Sequence, residues 1–268
     1  MKVALTIAGS DSSGGAGIQA DIKTFQAHGV FAMSVITAVT AQNTQKVYDV
    51  QEIRPQLVKD QITCLFEDAA IHAVKIGMVS SIALIRAIAA ALKIVNPPLV
   101  VLDPVMISKS GYRLLKPEAQ EALVEHLFPL AEVVTPNIYE AEALVGKKIQ
   151  TLDEMKAAAE AILKLSANKV VVKGGHLGEA IATDILYDGN QFKELQSSRI
   201  DTQNTHGTGC TFSSAIAANL ALGKDFFTAV TNAKTYITGA IQYSLSIGKG
   251  YGPTNHFFSL YQRAGLNS

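Results

Sequence analysis

What constrains this chain most is a recurrence. Short β-branched runs return at 3–7, 35–39, 73–76, 99–102, 133–135 and 170–172, most of them separated by longer segments whose apolar residues fall three or four apart. That is the βαβ alternation of a mostly parallel sheet. Unbroken apolar runs such as Leu99-Val100-Val101-Leu102 suit strands covered on both faces, as a parallel sheet between two helix layers requires. Segments 82–94, 117–128 and 152–165 read as covering helices. Ser80 or Ser81, Lys116 with Pro117, and Thr151 with Glu154 mark their starts, the last pair as a capping box.

Two stretches depart from the alternation. Residues 40–53 are polar and then alternating, which predicts a strand or hairpin standing beside the sheet as a small flap. Asp188-Gly189-Asn190 between two short runs predicts a hairpin over 180–195. No linker or repeat interrupts the 268 residues, so the chain reads as one domain over 1–268. Ligands of such a sheet bind beyond the carboxyl ends of its strands.

Composition narrows the partners. Lys plus Arg and Asp plus Glu each total 23, so no net field exists to hold nucleic acid or an anionic membrane. A hydrophobic share of 48% against 17% charged residues predicts a packed core and argues against disorder. Lys93, Pro97, Pro98 and Asp103 interrupt the most apolar region before it reaches membrane-spanning length. The N-terminus runs into a Gly/Ser stretch with no sustained signal core, and only two cysteines occur, which predicts a reduced, cytoplasmic protein. Six histidines without ligand spacing and two cysteines make a structural metal improbable, and there is no GxSxG elbow for an esterase triad.

Several polar clusters fall just after predicted strands. The run from Ala8 to Gly17 is a Gly-rich strand-to-helix turn that reads either as an anion cradle or as a mobile turn; it lacks a P-loop and a well-placed GxGxxG. The run Asp201 to Cys210 opens a small-residue helix over 211–222. Gly207 and Gly209 let successive amides point one way, and the positive helix end adds to them, forming an anion hole for a phosphoryl group in flight. A thiol at a helix start tends toward a lowered pKa, which makes Cys210 a candidate to position or deprotonate a nucleophile; the other reading is a small buried helix-start cysteine. Cys64, beside Leu65 in a helical stretch, reads as core. Asn137 and Glu140, three apart after a strand, would share a first helical turn and could hold water around Mg²⁺. Lys173 follows a strand where a side chain can reach phosphates, and Asp103 follows another. Jointly these describe a phosphoryl-transfer site.

ALTIAGSDSSGGAGIQADIKTF, VITAVTAQNT, KIGM, VLDPVM, TPNIYEAEAL, VVKGGH and THGTGCTFSSAIAANLA, in this order from about Leu5 to Pro253, resemble the hydroxymethylpyrimidine/phosphomethylpyrimidine kinases of thiamine biosynthesis, in the ribokinase-like group that also holds pyridoxal kinases. The resemblance implies a three-layer α/β/α fold, a homodimer, and use of ATP and Mg²⁺ to phosphorylate 4-amino-5-hydroxymethyl-2-methylpyrimidine and then its monophosphate. It implies that Gln42 hydrogen-bonds the aminopyrimidine edge, with Gly9, Asp21 and Met78 lining the pocket. Gly207, Thr208, Gly209 and Cys210 would form the anion hole. Asn137 and Glu140 match the family's NxxE element near metal and phosphates; Lys173, Thr183 and Thr208 fall where nucleotide contacts are expected, and Asp103 lies on the metal side. Most sugar kinases of the group place an Asp base where this chain has Cys210, so Cys210 is expected to orient more than abstract. The alternatives are a pyridoxal kinase, a dual-activity enzyme, and a non-catalytic binding protein that kept the fold.

Overall fold

The computed structural model describes residues 1–106, 108, 111, 114–115, 118–175 and 181–266. In chain order the elements are β1 (Val3–Asp11), α1 (Gly17–Ala27), β2 (Phe31–Gln42), β3 (Val47–Glu52), α2 (Pro55–Asp68), β4 (Ala73–Ile76), α3 (Ile82–Val95), β5 (Val100–Leu102), α4 (Ala119–His126), β6 (Val133–Val134), α5 (Ile138–Val145), α6 (Leu152–Leu163), β7 (Lys169–Val172), β8 (Ile181–Tyr187), β9 (Phe192–Ser198), α7 (Thr208–Ala221), α8 (Phe226–Gln242) and α9 (Phe258–Arg263). They build one nine-stranded sheet in the order β3-β2-β1-β4-β5-β6-β7-β8-β9. The strands from β2 through β7 pair in parallel, while β3, β8 and β9 are antiparallel additions at the two edges.

The apolar runs are buried on both faces because each face carries its own core. Val58 and Ile62 of α2, Leu84, Ile85 and Ile88 of α3 and Met155 of α6 pack on one side. Phe25 of α1, the Ala-rich face of α7, and Ala229, Val230 and Ala233 of α8 pack on the other. This is the three-layer α/β/α architecture. No helix among the described residues is long and apolar enough to cross a membrane.

Every predicted strand forms, β1 and β2 running well past their expected ends. The hairpin of residues 40–53 forms too, but as the edge of the main sheet: Thr40 pairs with Asp11 on β1 while Ala38 to Gln42 pair with β3. A strand as long as β2 overlaps both neighbours, so the hairpin is anchored at its base. Thr151 and Glu154 make the predicted capping box. Ser81 stands at the start of α3 without capping it with its side chain; it and Ser80 turn instead to the two oxygens of Glu52. The helix expected over 117–128 is described from Ala119, and Lys116 and Pro117 lie outside the described residues. Cys64 is exposed rather than in the core, because α2 buries the face carrying Val58 and Ile62.

Candidate active site

From β1 the chain crosses to β2 on one side and later returns to place β4 on the other, which leaves a crevice beyond the carboxyl ends of these strands. Helix α7 brings its N-terminus there. It lies against β1, β4 and β5, and from Thr211 onward it is buried, with Ser213, Ser214, Ala215, Ala217 and Ala218 letting it sit this deep. It begins at Thr208, ahead of the expected 211: Gly207 is the cap residue, with φ of 79°, and no side chain caps the helix. A Cβ on Gly207 would sit 1.8 Å from the carbonyl oxygen of Gly15, so the second glycine turn touches the first and position 207 admits glycine alone. Thr208 N donates to Thr205 O at 3.3 Å, and the lack of a side-chain cap leaves the positive helix end at Gly209 and Cys210 for the crevice.

Beside this helix start stands a charged cluster from three other strand ends. Lys173, just after β7, places Nζ 2.9 Å from Asp103 Oδ1 after β5. Thr135 Oγ1 donates to the same oxygen at 3.2 Å, and Ser213 of α7 donates to Oδ2 at 3.3 Å. A Cβ on Gly209 would meet Asp103 Oδ2 at 3.5 Å and Lys173 Nζ at 3.6 Å, which fixes the pair against the first turn of α7. Burial alone would raise Asp103, but Lys173 and Lys75 hold it below the usual carboxylate range; burial alone would lower Lys173, but Asp103 and Glu140 hold it above its usual value. Asn137 and Glu140 share the first turn of α5 as expected, as a reciprocal capping box: Glu140 Oε2 accepts from Asn137 N at 2.8 Å and Asn137 Oδ1 from Glu140 N at 3.0 Å. Burial pushes Glu140 up to about 7; Lys173 opposes the shift and the charge of Asp103 adds to it.

Beneath the crevice lies an ion pair that sequence reasoning did not assign. Lys75, the last but one residue of β4, places Nζ 2.9 Å from both oxygens of Asp21, and neither side chain is exposed at all. Asp21 also accepts from Thr6 at 2.6 Å and from Ser214 at 2.6 Å. The expectation that Asp21 lines the pocket is therefore corrected to one layer deeper, where it is enclosed by protein donors. Cys210 is placed on α7 above this pair. Its thiol is pushed up to about 11 by burial, with Lys75 opposing and Asp21 and Asp103 reinforcing the shift. The expectation of a lowered thiol fails because desolvation of the thiolate outweighs the helix end.

The other wall of the crevice comes from the first glycine turn. Asp11 gathers it: Oδ1 accepts from Ser13 N and Oγ, and Oδ2 accepts from Gly15 N at 3.1 Å, Ala16 N at 2.8 Å and His206 Nε2 at 2.8 Å. Burial works to raise this carboxyl, but His206 and Ser13 hold it at about 2. The turn is thus neither the mobile loop nor the free anion cradle of the two sequence readings, because its amides are spent on Asp11. Gln42 ends β2 within 3.5 Å of His206 Nε2 and 3.3 Å of Thr40 Oγ1. Gly9 and Met78 are brought together, since a Cβ on Gly9 would lie 2.4 Å from Met78 Cε. Thr208 turns its hydroxyl back to Thr205 O at 2.8 Å. Thr183 is buried in β8, with its carbonyl against Gly174, the residue after Lys173.

The arrangement therefore sets a helix N-terminus and a lysine on one side of a crevice and an amide on the other, which suits moving an anionic group onto a held polar acceptor. The comparisons agree with that chemistry. Residues 11–255 match the family model described as phosphomethylpyrimidine kinase. The chain is 51% identical over 258 residues to a hydroxymethylpyrimidine/phosphomethylpyrimidine kinase of Rhizobium meliloti (strain 1021), covering 95% of this chain and 97% of that one. Among solved structures it is similar to the phosphomethylpyrimidine kinase of Clostridium difficile 630, at 53% identity and a TM-score of 0.80 over 90% of this chain and 100% of that one. It is also similar to an ADP complex of Bacillus subtilis pyridoxal kinase, at 42% identity and a TM-score of 0.90 over 97% of this chain and 99% of that one. With the family model spanning most of its length and a relative sharing half of its residues, this chain is a kinase and belongs to the phosphomethylpyrimidine kinase family.

Proposed function

We propose that this kinase transfers the γ-phosphoryl group of ATP to the hydroxymethyl group of 4-amino-5-hydroxymethyl-2-methylpyrimidine, and then phosphorylates the resulting monophosphate to the diphosphate for thiamine biosynthesis. The observation that carries the reading is the meeting of the uncapped α7 start, Gly207 to Cys210, with Lys173 on one side of a crevice whose other wall holds Gln42. When bound, ATP supplies the phosphoryl group and Mg²⁺ neutralises charge between its phosphates. The first-turn amides of α7 face the equatorial oxygens of the transferring group, and Lys173 adds a cation held in place by Asp103. Cys210, a neutral thiol, orients the acceptor hydroxyl. An alcohol loses its proton late in a loose transfer, so alignment carries more of the work than a strong base. The second acceptor is already a phosphate oxyanion and needs no base.

Mg²⁺ fits the residues present with one change to the ligand set. It keeps several waters and binds through few carboxylates plus phosphates. Glu140 is raised to about 7 chiefly by burial, only partly offset by Lys173, and a bound cation would relieve that cost, so it is the carboxylate that would face the ion. Asp103 has Oδ1 shared by Lys173 and Thr135, and its part is to hold Lys173. Asn137 fixes Glu140 through the capping box, and Thr183 supports the nucleotide side from β8. In this reading the chain acts as one kinase domain and as a homodimer in the cytoplasm, the dimer being checked by light scattering.

A second reading, a pyridoxal kinase or dual-activity enzyme, is favoured by the likeness to the Bacillus subtilis pyridoxal kinase. Purified protein with ATP and Mg²⁺, offered the hydroxymethylpyrimidine, its monophosphate and pyridoxal separately with products resolved by mass, separates the two. Both pyrimidine phosphates should form. Turnover of pyridoxal alone would move the chain to the second reading.

A further inference from the structure

Gln42 belongs to a hydrogen-bonded chain whose proton count decides how its amide lies. Thr40 Oγ1 is 3.0 Å from Ser10 O, which has no hydrogen to give, so the single hydroxyl proton of Thr40 points at Ser10. Thr40 can then offer Gln42 only a lone pair at 3.3 Å. At the other end, His206 Nε2 is 2.8 Å from Asp11 Oδ2, an ionised acceptor, so Nε2 carries a proton and has no lone pair to offer. That proton is already given to Asp11, so the Gln42 atom 3.5 Å from the nitrogen meets the N–H side-on, where an amide oxygen is attracted and an amide N–H is repelled. The two ends of a side-chain amide are set by the partners they can satisfy. The orientation that sets no two donors or two acceptors against each other has the Gln42 nitrogen donating to Thr40 and the oxygen toward His206.

We infer that Thr40 and the Asp11–His206 pair are positioning residues that lock the Gln42 amide in one of its two orientations, and that this lock sets which way round the acceptor ring sits. The inference rests on the pyrimidine reading above. Held this way, the amide has one N–H and one oxygen lone pair left, in a fixed order. An aminopyrimidine answers with a ring nitrogen and the adjacent amino group. That amino group neighbours the hydroxymethyl carbon, so reversing the amide reverses the ring edge and carries the hydroxymethyl group away from the α7 start. A pyridine ring with a hydroxyl beside an aldehyde offers its donor and acceptor in a different geometry, with no ring nitrogen next to the donor-bearing carbon, and gains less from the lock.

The test is steady-state kinetics on Thr40→Val, which keeps the shape of the side chain and removes both its proton and its lone pairs, with Thr40→Ser as the conservative rescue. Thr40→Val should raise KM for the hydroxymethylpyrimidine about tenfold, the scale of one misplaced hydrogen bond. KM for ATP should stay unchanged, and Thr40→Ser should restore the wild-type value. A general packing defect would move both KM values, which would overturn the inference, as would a pyrimidine KM within twofold of wild type. Should Thr40→Val fail to fold, Thr40→Ala is measured against the same two values. A wild-type protein that phosphorylates no pyrimidine would overturn the reading and the lock together, whereas an active wild type with an unmoved variant overturns the lock alone.

Discussion

Lys75 and Asp21 form a two-oxygen ion pair sealed from solvent directly beneath the helix that carries Cys210, with Nζ 2.9 Å from each carboxylate oxygen. Thr6 and Ser214 complete the shell of Asp21, so the pair is both neutralised and hydrogen-bonded. Removing one partner leaves an uncompensated buried charge. Lys75→Met should therefore cost about 3–5 kcal/mol of stability, read by urea unfolding. The double change Lys75→Met with Asp21→Leu should recover much of that loss. A single variant within about 1 kcal/mol of wild type, the usual scale of an exposed pair, would refute the assignment.

Cys210, raised to about 11 by burial, is a neutral thiol at physiological pH, whereas Cys64 is exposed. Iodoacetamide near pH 7.5 should label Cys64 first and leave Cys210 almost untouched, and the Cys210 rate should climb with pH toward about 11. In turnover, Cys210→Ala should slow phosphorylation of the alcohol far more than that of the monophosphate. Equal losses in the two steps would show that the thiol does not orient the hydroxyl.

Glu140 gives a pH signature of unusual sign. Its carboxyl lies at 4.5 in the unfolded chain and at about 7 in the fold. Between these values the folded state holds a proton that the unfolded state has lost, so this group's contribution is full below 4.5 and falls as pH rises to about 7. Glu140→Gln keeps the cap acceptor and removes the titration. The difference in stability between wild type and Glu140→Gln should therefore move in the variant's favour across that window and level off above it. His256, held neutral down to about 3 by burial, and Asp11 at about 2 titrate alike in both proteins and cancel. A flat difference curve would show that Glu140 titrates normally.

Gly207→Ala tests the contact between the two glycine turns. The backbone there is left-handed, and the added methyl would strike the Gly15 carbonyl, so the turns must part. Activity should drop at least a hundredfold, and the thermal shift on adding ATP should vanish. Retention of that shift would show that the α7 start does not bind phosphate.

The sheet was legible because strands buried on both faces are apolar and rich in β-branched residues, and the cap of α6 because Thr151 with Glu154 is local; Asn137 and Glu140 were legible as first-turn neighbours but not as a reciprocal cap. What escaped depends on distance along the chain. His206 and Asp11 are 195 residues apart, and Lys75 and Asp21 are 54 apart. Nothing near Lys75 in sequence announces a buried partner, and a lysine within an apolar strand was the one available signal. The thiol of Cys210 was misjudged for a related reason: the helix end is visible in sequence, while the depth of burial that outweighs it is not. Ser81 stands where a cap belongs, yet the pull of Glu52 comes from a strand that only the fold brings close.

The two walls of the crevice rest on different footings. The start of α7 is continuous with a helix buried almost throughout, whereas Gln42 sits at the end of β2, where the strand leaves the body of the sheet for the edge hairpin. Under the proposed function, evolutionary drift at the strand end can therefore change which ring is accepted while the α7 half stays intact, and one scaffold can diversify its substrates without reinventing its chemistry.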